Sequence, residues 1–227
     1  VQRYVIVAAG GAGHRMGISI PKQFILLQEK PIVAHTLLNF HKFDPTLKFI
    51  VALPSDSLEL WDELAVPHLD GVDVQVADGG NQRFYTVQNA VNAIGTDDGL
   101  VAVHDAVRPF TSHALMKRCF ETAEKEGSAI PVIRIADSVR AVLSEGSEWR
   151  DRNALRAVQT PQCFKLNLLK RAYAQSYSNQ FTDDASVVEH MGVRINLVDG
   201  EKTNIKITTP EDLAISKAWM LYTSSQN

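Results

Sequence analysis

From residue 4 to residue 133, short apolar runs alternate with segments whose apolar residues recur at helical spacing, and this alternation constrains the chain more than any other feature. Such a rhythm is the sequence sign of a parallel sheet whose strands are joined by crossover helices. Residues 4–9 read as a first, buried strand. After a glycine-rich loop, residues 31–43 place Ile32, Val33, Leu37 and Phe40 on one helical face, with Pro31 suited to the first turn. Further strands are expected at 49–53, 72–77, 100–104 and 128–132, and further helices at 58–65, 84–94 and 113–126.

The rhythm breaks after residue 133. Residues 134–158 are polar and charged, alternate weakly through Val139, Ala141 and Leu143, and contain a Glu145-Gly146-Ser147 turn, so they read as a projecting β-hairpin arm. A two-stranded ribbon is marginal alone in water, so the arm is expected to pack against something, with a second copy of the chain the natural partner. Helices at 166–177 and 183–191, strands near 193–198 and 204–207, and a last helix at 210–221 complete the pattern. No repeat, low-complexity stretch or linker interrupts the 227 residues, and 45% hydrophobic content can bury one large core, so a single domain over 1–227 with an arm at about 134–158 is expected.

Charge and cysteine usage remove several function classes. A formal net charge of -3 offers no general basic field for nucleic acid. Cys119 and Cys163 lie in no C-x-x-C pair and read as core residues rather than a disulfide framework or a zinc site. The opening VQRYVIVAAGG is too brief for a membrane span and lacks the layout of a secretion signal, so a cytoplasmic enzyme with no membrane partner is expected.

The first strand runs into Ala8-Ala9-Gly10-Gly11-Ala12-Gly13-His14-Arg15-Met16, and Pro21-Lys22-Gln23 follows. Glycines at the carboxyl end of a first parallel strand let backbone amides approach a phosphate, although a glycine cluster alone is equally a tight turn with no ligand. Met16 stands where a dinucleotide fingerprint wants a third glycine, which disfavours a pyridine-dinucleotide oxidoreductase. Lys22 follows Pro21 and precedes Gln23 rather than closing a Gly-Lys-Ser/Thr loop, so the kinase or ATPase type is excluded. Two cations, Arg15 and Lys22, beside amides that can cradle phosphate are what nucleotidyl transfer requires for charge stabilisation.

The run AAGGAGHRMGISIPKQF resembles the signature of the 2-C-methyl-D-erythritol 4-phosphate cytidylyltransferases of the non-mevalonate isoprenoid pathway. The resemblance continues in order through DGGNQR (78–83), VHDAVRPF (103–110), DRNALRAVQTPQCF (151–164), TDDAS (182–186) and NIKITTPEDL (204–213). It implies a Rossmann-like nucleotidyltransferase fold, α/β with a mostly parallel central sheet flanked by helices and a β-hairpin dimerisation arm. The implied reaction moves CMP from CTP to the acceptor phosphate by in-line attack on the α-phosphorus, with pyrophosphate leaving. Ribitol 5-phosphate cytidylyltransferase is the nearest rival, and a silent nucleotide-binding module on the same fold is the rival from another class.

The resemblance also implies roles. Arg15, Lys22 and Lys206 would hold the triphosphate and stabilise the reacting centre. Ala8, Ala9, Gly10, Gly11, Gly13, Gly80, Asn81, Arg83, Thr86 and Asp105 would bind the nucleotide, although Asn81 and Thr86 stand where the family often has an acid and a serine. Asp105, expected at the end of a strand, is the candidate ligand for Mg²⁺ or another divalent ion, or else caps the next helix or pairs with Arg108. Asp105, Arg108, Ser138, Arg152 and Thr182 would meet the second substrate. Arg152 would do so across a homodimer interface, the alternative being an exposed arm charge, and Thr182 is equally readable as a helix N-cap. Read structurally, Thr209-Pro210-Glu211-Asp212 is a helix start, His104 is support for the site, and the three tryptophans serve packing.

Overall fold

The computed structural model describes residues 1–10 and 20–225. In chain order the elements are β1 (Arg3–Ala8), a 3₁₀ turn (Lys22–Phe24), β2 (Leu26–Leu27), β3 (Lys30–Pro31), α1 (Ile32–Phe43), β4 (Lys48–Leu53), α2 (Leu58–Leu60), β5 (Val74–Asp78) and α3 (Arg83–Asn92). They continue with β6 (Leu100–Asp105), α4 (His113–Glu126), β7 (Ser128–Arg134), β8 (Val139–Val142), β9 (Ser147–Arg150), β10 (Arg156–Val158) and β11 (Gln162–Lys165). The last are α5 (Leu166–Tyr173), α6 (Asp184–Glu189), β12 (Leu197–Asp199) and α7 (Pro210–Ser224).

The central sheet runs β10-β7-β11-β6-β1-β4-β5, with β12 added beside β7. Strands β6, β1, β4 and β5 are parallel, as the rhythm predicts. Side chains alternate faces along a strand, and in β6, β1 and β4 both faces are largely buried, which is why these strands read as apolar runs, whereas β5 at the sheet edge is partly exposed and carries Gln75. Val5 and Val7 of β1 enter the core beneath α1 and α4 with Leu37, Phe40, Leu115 and Phe120, whereas Ile6 faces Val87, Leu169 and Val188 from α3, α5 and α6. Helix α4 has the expected ends. The Ser112 hydroxyl accepts from the Leu115 amide at 3.0 Å, and Gly127 leaves the helix at φ 93°, a left-handed conformation open to glycine.

Several expectations need correction. Strand β11 escapes the sequence pattern, and it enters antiparallel between β6 and β7, where burial of Gln162, Cys163 and Phe164 stabilises a run of only four residues. The helix expected at 58–65 is present but mixed in type, α over Leu58–Leu60 and π over Trp61–Ala65, where Trp61 and Ala65 turn inward, with a 3₁₀ turn at Val66–His68 after it. Residues 204–207 form no strand. Their main chain makes one bond to the sheet side, from the Ile207 amide to the Val107 carbonyl, while the Asn204 carbonyl accepts from Arg108. Helix α6 is capped by the Asp183 side chain rather than Thr182. Trp149, expected to serve packing, is 65% exposed on β9 and joins no core cluster among the described residues.

The hairpin arm does form, with β8 and β9 antiparallel in a separate two-stranded ribbon. Both cysteines are buried, free thiols. Thr209 caps α7, accepting from the Asp212 amide, with Pro210 at the first position. No helix among the described residues is long and apolar enough to cross a membrane.

Candidate active site

Beyond the carboxyl ends of β1 and β6 lies an open cavity of about 280 Å³. This is the edge at which open parallel sheets gather ligands. Its walls bring together Ala8, Ala9, Gly10, Gly80, Asn81, Arg83, Thr86, Asp105, Lys22 and Lys206 from the sequence-derived set, and add Gln23, Gln82, Ala106 and Val107. Gly11, Gly13 and Arg15 lie outside the described residues.

Local structure explains how each wall is held. The buried Gln23 amide donates to the Ala9 carbonyl at 2.6 Å, which ties the 3₁₀ turn carrying Lys22 to the end of β1. Thr36 of α1 donates to the Ala106 carbonyl at 2.8 Å. Across the cavity, Gly80 meets α3 so closely that a Cβ there would sit 2.3 Å from Tyr85 Cβ and 2.9 Å from the Thr86 amide nitrogen, so only glycine fits. The Thr86 hydroxyl accepts from the Gly80 amide at 3.0 Å and donates to the Gln82 carbonyl at 3.1 Å, and so shapes this loop.

Asp105 is the electrostatic centre. Its Oδ2 lies 3.0 Å from Lys206 Nζ and accepts from Arg108 Nε at 3.0 Å. Burial by itself would raise the Asp105 carboxyl, but Lys206, Arg108 and Arg83 outweigh it and hold the group well below the usual carboxylate range. The pairing with Arg108 anticipated in the sequence is therefore present. A divalent ion is compatible with the same donor set. Mg²⁺ is commonly bound by one or two carboxylates together with substrate phosphates, and Asp105 is an ionised carboxylate on the cavity wall.

A buried polar network backs the site. The amide of Asp105 donates to Thr160 Oγ1 at 3.1 Å, and Thr160 Oγ1 lies 3.0 Å from His104 Nδ1. His104 Nε2 lies 3.1 Å from the Arg108 carbonyl, which accepts only if that nitrogen carries the proton, so Nδ1 is left to accept from Thr160. Asn204 donates to the Thr160 carbonyl at 2.8 Å, accepts from Thr111 at 3.0 Å, and its own carbonyl accepts from Arg108 at 2.7 Å. Two residues later the chain delivers Lys206.

Burial is the main cause that pushes the His104 imidazole down to about 4; the bond to the Arg108 carbonyl and the Asp105 charge oppose it, and the Arg108 and Lys206 charges add to it. The folded state thus keeps His104 neutral where the unfolded chain would protonate it. Its contribution to stability is full above pH 6.5 and is lost as pH falls toward 4. We expect this residue alone to remove on the order of 3 kcal/mol of unfolding free energy across that interval. Urea titrations of the native chain and a His104→Gln variant at several pH values check this. Equal acid slopes in the two proteins would assign the effect elsewhere.

A sequence profile of the 2-C-methyl-D-erythritol 4-phosphate cytidylyltransferase family matches residues 3–222. The chain belongs to this family. It is similar to the 2-C-methyl-D-erythritol 4-phosphate cytidylyltransferase of Bacteroides thetaiotaomicron, 45% identical over 218 residues that cover 96% of this chain and 99% of that protein. The Bacteroides fragilis relative of the same description is 46% identical, covering 95% and 98%. Among solved structures, the Francisella tularensis 2-C-methyl-D-erythritol 4-phosphate cytidylyltransferase superposes with a TM-score of 0.81 at 32% identity, covering 96% of this chain and 99% of that one. The Thermus thermophilus enzyme gives 0.77 at 31%, covering 96% and 98%.

Family membership does not by itself place every side chain. Arg108 stands behind Asp105 and is not on the cavity wall. Ser138, Arg152 and Thr182 are exposed and do not line the cavity within one chain. Arg152 donates to the Ala136 carbonyl across the base of the arm. The Thr182 amide donates to Ser186 Oγ at 3.0 Å. Sequence reasoning missed Gln23, Gln82, Asp184 and Asn204, all inside the recognised blocks. Their only signal is a polar residue type beside a reactive one, and nothing in the pattern separates such a residue from a solvated neighbour.

Proposed function

We propose that this chain transfers CMP from CTP to 2-C-methyl-D-erythritol 4-phosphate, giving 4-diphosphocytidyl-2-C-methyl-D-erythritol and pyrophosphate. The observation that carries the reading is the convergence of Lys22, Lys206 and Asp105 on one cavity walled by the Ala8–Gly10 and Gly80–Arg83 backbone, in a chain of this family. An acceptor phosphate monoester has a second pKa of about 6, so it is already largely dianionic near neutrality and needs no general base. What the protein must supply is alignment and positive charge around the phosphorus as it changes partners. Lys22 and Lys206 fill that role here, and Arg15 joins them on the strength of the sequence block alone.

A divalent cation, Mg²⁺ or another, would be held by Asp105 and would neutralise phosphate charge. Asp105 also orients Lys206, so the same carboxylate serves the cation and the lysine. Arg108, Ser138, Thr182 and Arg152 form the acceptor side of the proposal, with Arg152 reaching the site of a second copy. Exposed apolar groups on the arm, Val142 and Trp149 above all, support a homodimer built through it. We further propose one nucleotidyltransferase domain with its arm, at work in the cytoplasm. The two buried thiols that form no disulfide suit a reducing compartment.

Pyrophosphate release from CTP tests the reading, with methylerythritol phosphate or ribitol 5-phosphate as acceptor and with or without Mg²⁺. Release that depends on methylerythritol phosphate and on Mg²⁺ is expected. Faster turnover with ribitol phosphate would replace the acceptor, and no release with either would remove the activity.

A further inference from the structure

Arg83 opens α3 on the cavity wall, and its two terminal nitrogens donate in parallel to Asp184, at 3.0 Å to Oδ1 and 2.6 Å to Oδ2. The Asp184 side chain has no exposure, whereas that of Arg83 keeps 35%. Tyr173, itself buried at the end of α5, donates a third bond to Asp184 Oδ1 at 2.6 Å. The start of α6 that carries Asp184 is fastened in turn to β11. Gln162 donates to Asp183 at 2.8 Å and accepts from the Ala185 amide at 2.8 Å. The carboxylate is thus fixed by one strand and two helices, and it fixes the guanidinium. An arginine side chain has many rotamers, and most of that freedom is given up here before any ligand arrives.

The pairing also divides the cavity electrically. On one wall Lys206 and Arg108 share a single carboxylate, Asp105, so positive charge is in surplus there. At Arg83 the account is even, one guanidinium against one fully buried carboxylate. Surplus positive charge draws phosphate, while a neutralised fork retains directed N–H donors without drawing anions. The 35% of the Arg83 side chain that stays exposed leaves part of the fork open to the cavity.

We propose that Asp184 is a positioning and specificity-determining residue of the nucleotide site. It holds Arg83 in place and cancels its charge, so that Arg83 donates to uncharged acceptors of the nucleoside and the triphosphate is left to the Lys22 and Lys206 wall. The proposal rests on the nucleotide reading above. Without Asp184 the guanidinium becomes a mobile net cation that competes for the phosphates.

Equilibrium binding of CTP and of inorganic tripolyphosphate to the full chain separates this from a merely structural role. In Asp184→Asn the amide keeps the side chain's shape and can still accept from Tyr173, but it sets an NH₂ against an Arg83 donor. We expect CTP binding to weaken about ten-fold while tripolyphosphate binding stays equal or tightens, since a charge-assisted bond is worth about one ten-fold step or more. Tyr173→Phe keeps the ion pair and removes one brace, so it should weaken CTP binding about three-fold with no loss for tripolyphosphate. This second variant carries the test if the first fails to fold. Parallel weakening of both ligands, or no change in either, overturns the proposal. If the unmodified chain bound CTP no better than tripolyphosphate, the nucleotide reading itself would fall, and a defect confined to the variants cannot be confused with that result.

Discussion

Replacing Lys206 by alanine lowers kcat by about 10²–10³-fold, while the affinity for CTP falls much less, and Lys22→Ala behaves alike. The fold should tolerate the Lys206 change, because Asp105 keeps Arg108 on the same oxygen at 3.0 Å and Lys206 is 41% exposed. On the proposed mechanism, what disappears is a cation aimed at charge that develops as the α-phosphorus changes partners, a loss of about 3–4 kcal/mol in the barrier when one such donor is removed. Lys206→Arg restores charge with a different reach and is expected to recover part of the rate. Steady-state kinetics set beside equilibrium CTP binding decide the matter. An equal loss in kcat/KM and in CTP affinity with kcat unchanged would make Lys206 a simple binding group, and an unaltered kcat for Lys22→Ala would remove that residue from the chemistry.

The largest effect on stability is expected from Arg83→Met. It leaves the Asp184 carboxylate fully buried with Tyr173 as the one remaining side-chain donor among the described residues, and breaking one side of a buried pair costs about 3–5 kcal/mol. Water reaches Arg83, so the low end, about 3 kcal/mol, is the better figure. The paired replacement Arg83→Met with Asp184→Leu removes both charges and should recover most of that loss, since a well-packed apolar pair can match a buried ion pair. CTP affinity should stay low in the double variant, because no fork remains to donate. Chemical denaturation of the three proteins at neutral pH checks this. A deficit under about 1 kcal/mol in the single variant would show that Asp184 is rehydrated or repaired by its surroundings.

These two experiments probe parts of the site that were unequally legible. Lys22, Lys206 and Asp105 sit in blocks whose residue types announce phosphate chemistry, and the strand rhythm alone places Asp105 at a carboxyl edge. The backbone of Ala8 to Gly10 and Gly80 to Arg83 could be read in the same way, since glycines after a strand leave room for a ligand. Asp184 could not. Within its block it looks like a first-turn acid of a short helix, and its partner stands 101 positions earlier. Asn204 reads as an ordinary residue near a lysine, yet its side chain and carbonyl hold Thr160, Thr111 and Arg108 together.

Periodicity and local residue chemistry were enough to determine the parallel sheet, the helices that cover it, the projecting hairpin and the edge where the cavity lies. Each depends on contacts within a few positions or on a repeat visible along one segment. The tertiary structure alone decided that β11 enters antiparallel between β6 and β7, that residues 204–207 remain irregular, and that Arg83 is paired with a fully buried carboxylate while Lys206 shares Asp105 with Arg108. Those outcomes turn on which buried faces meet across long loops. A buried charge takes its partner from whatever the packing brings within 3 Å, and that neighbour is written nowhere in the spacing of the chain.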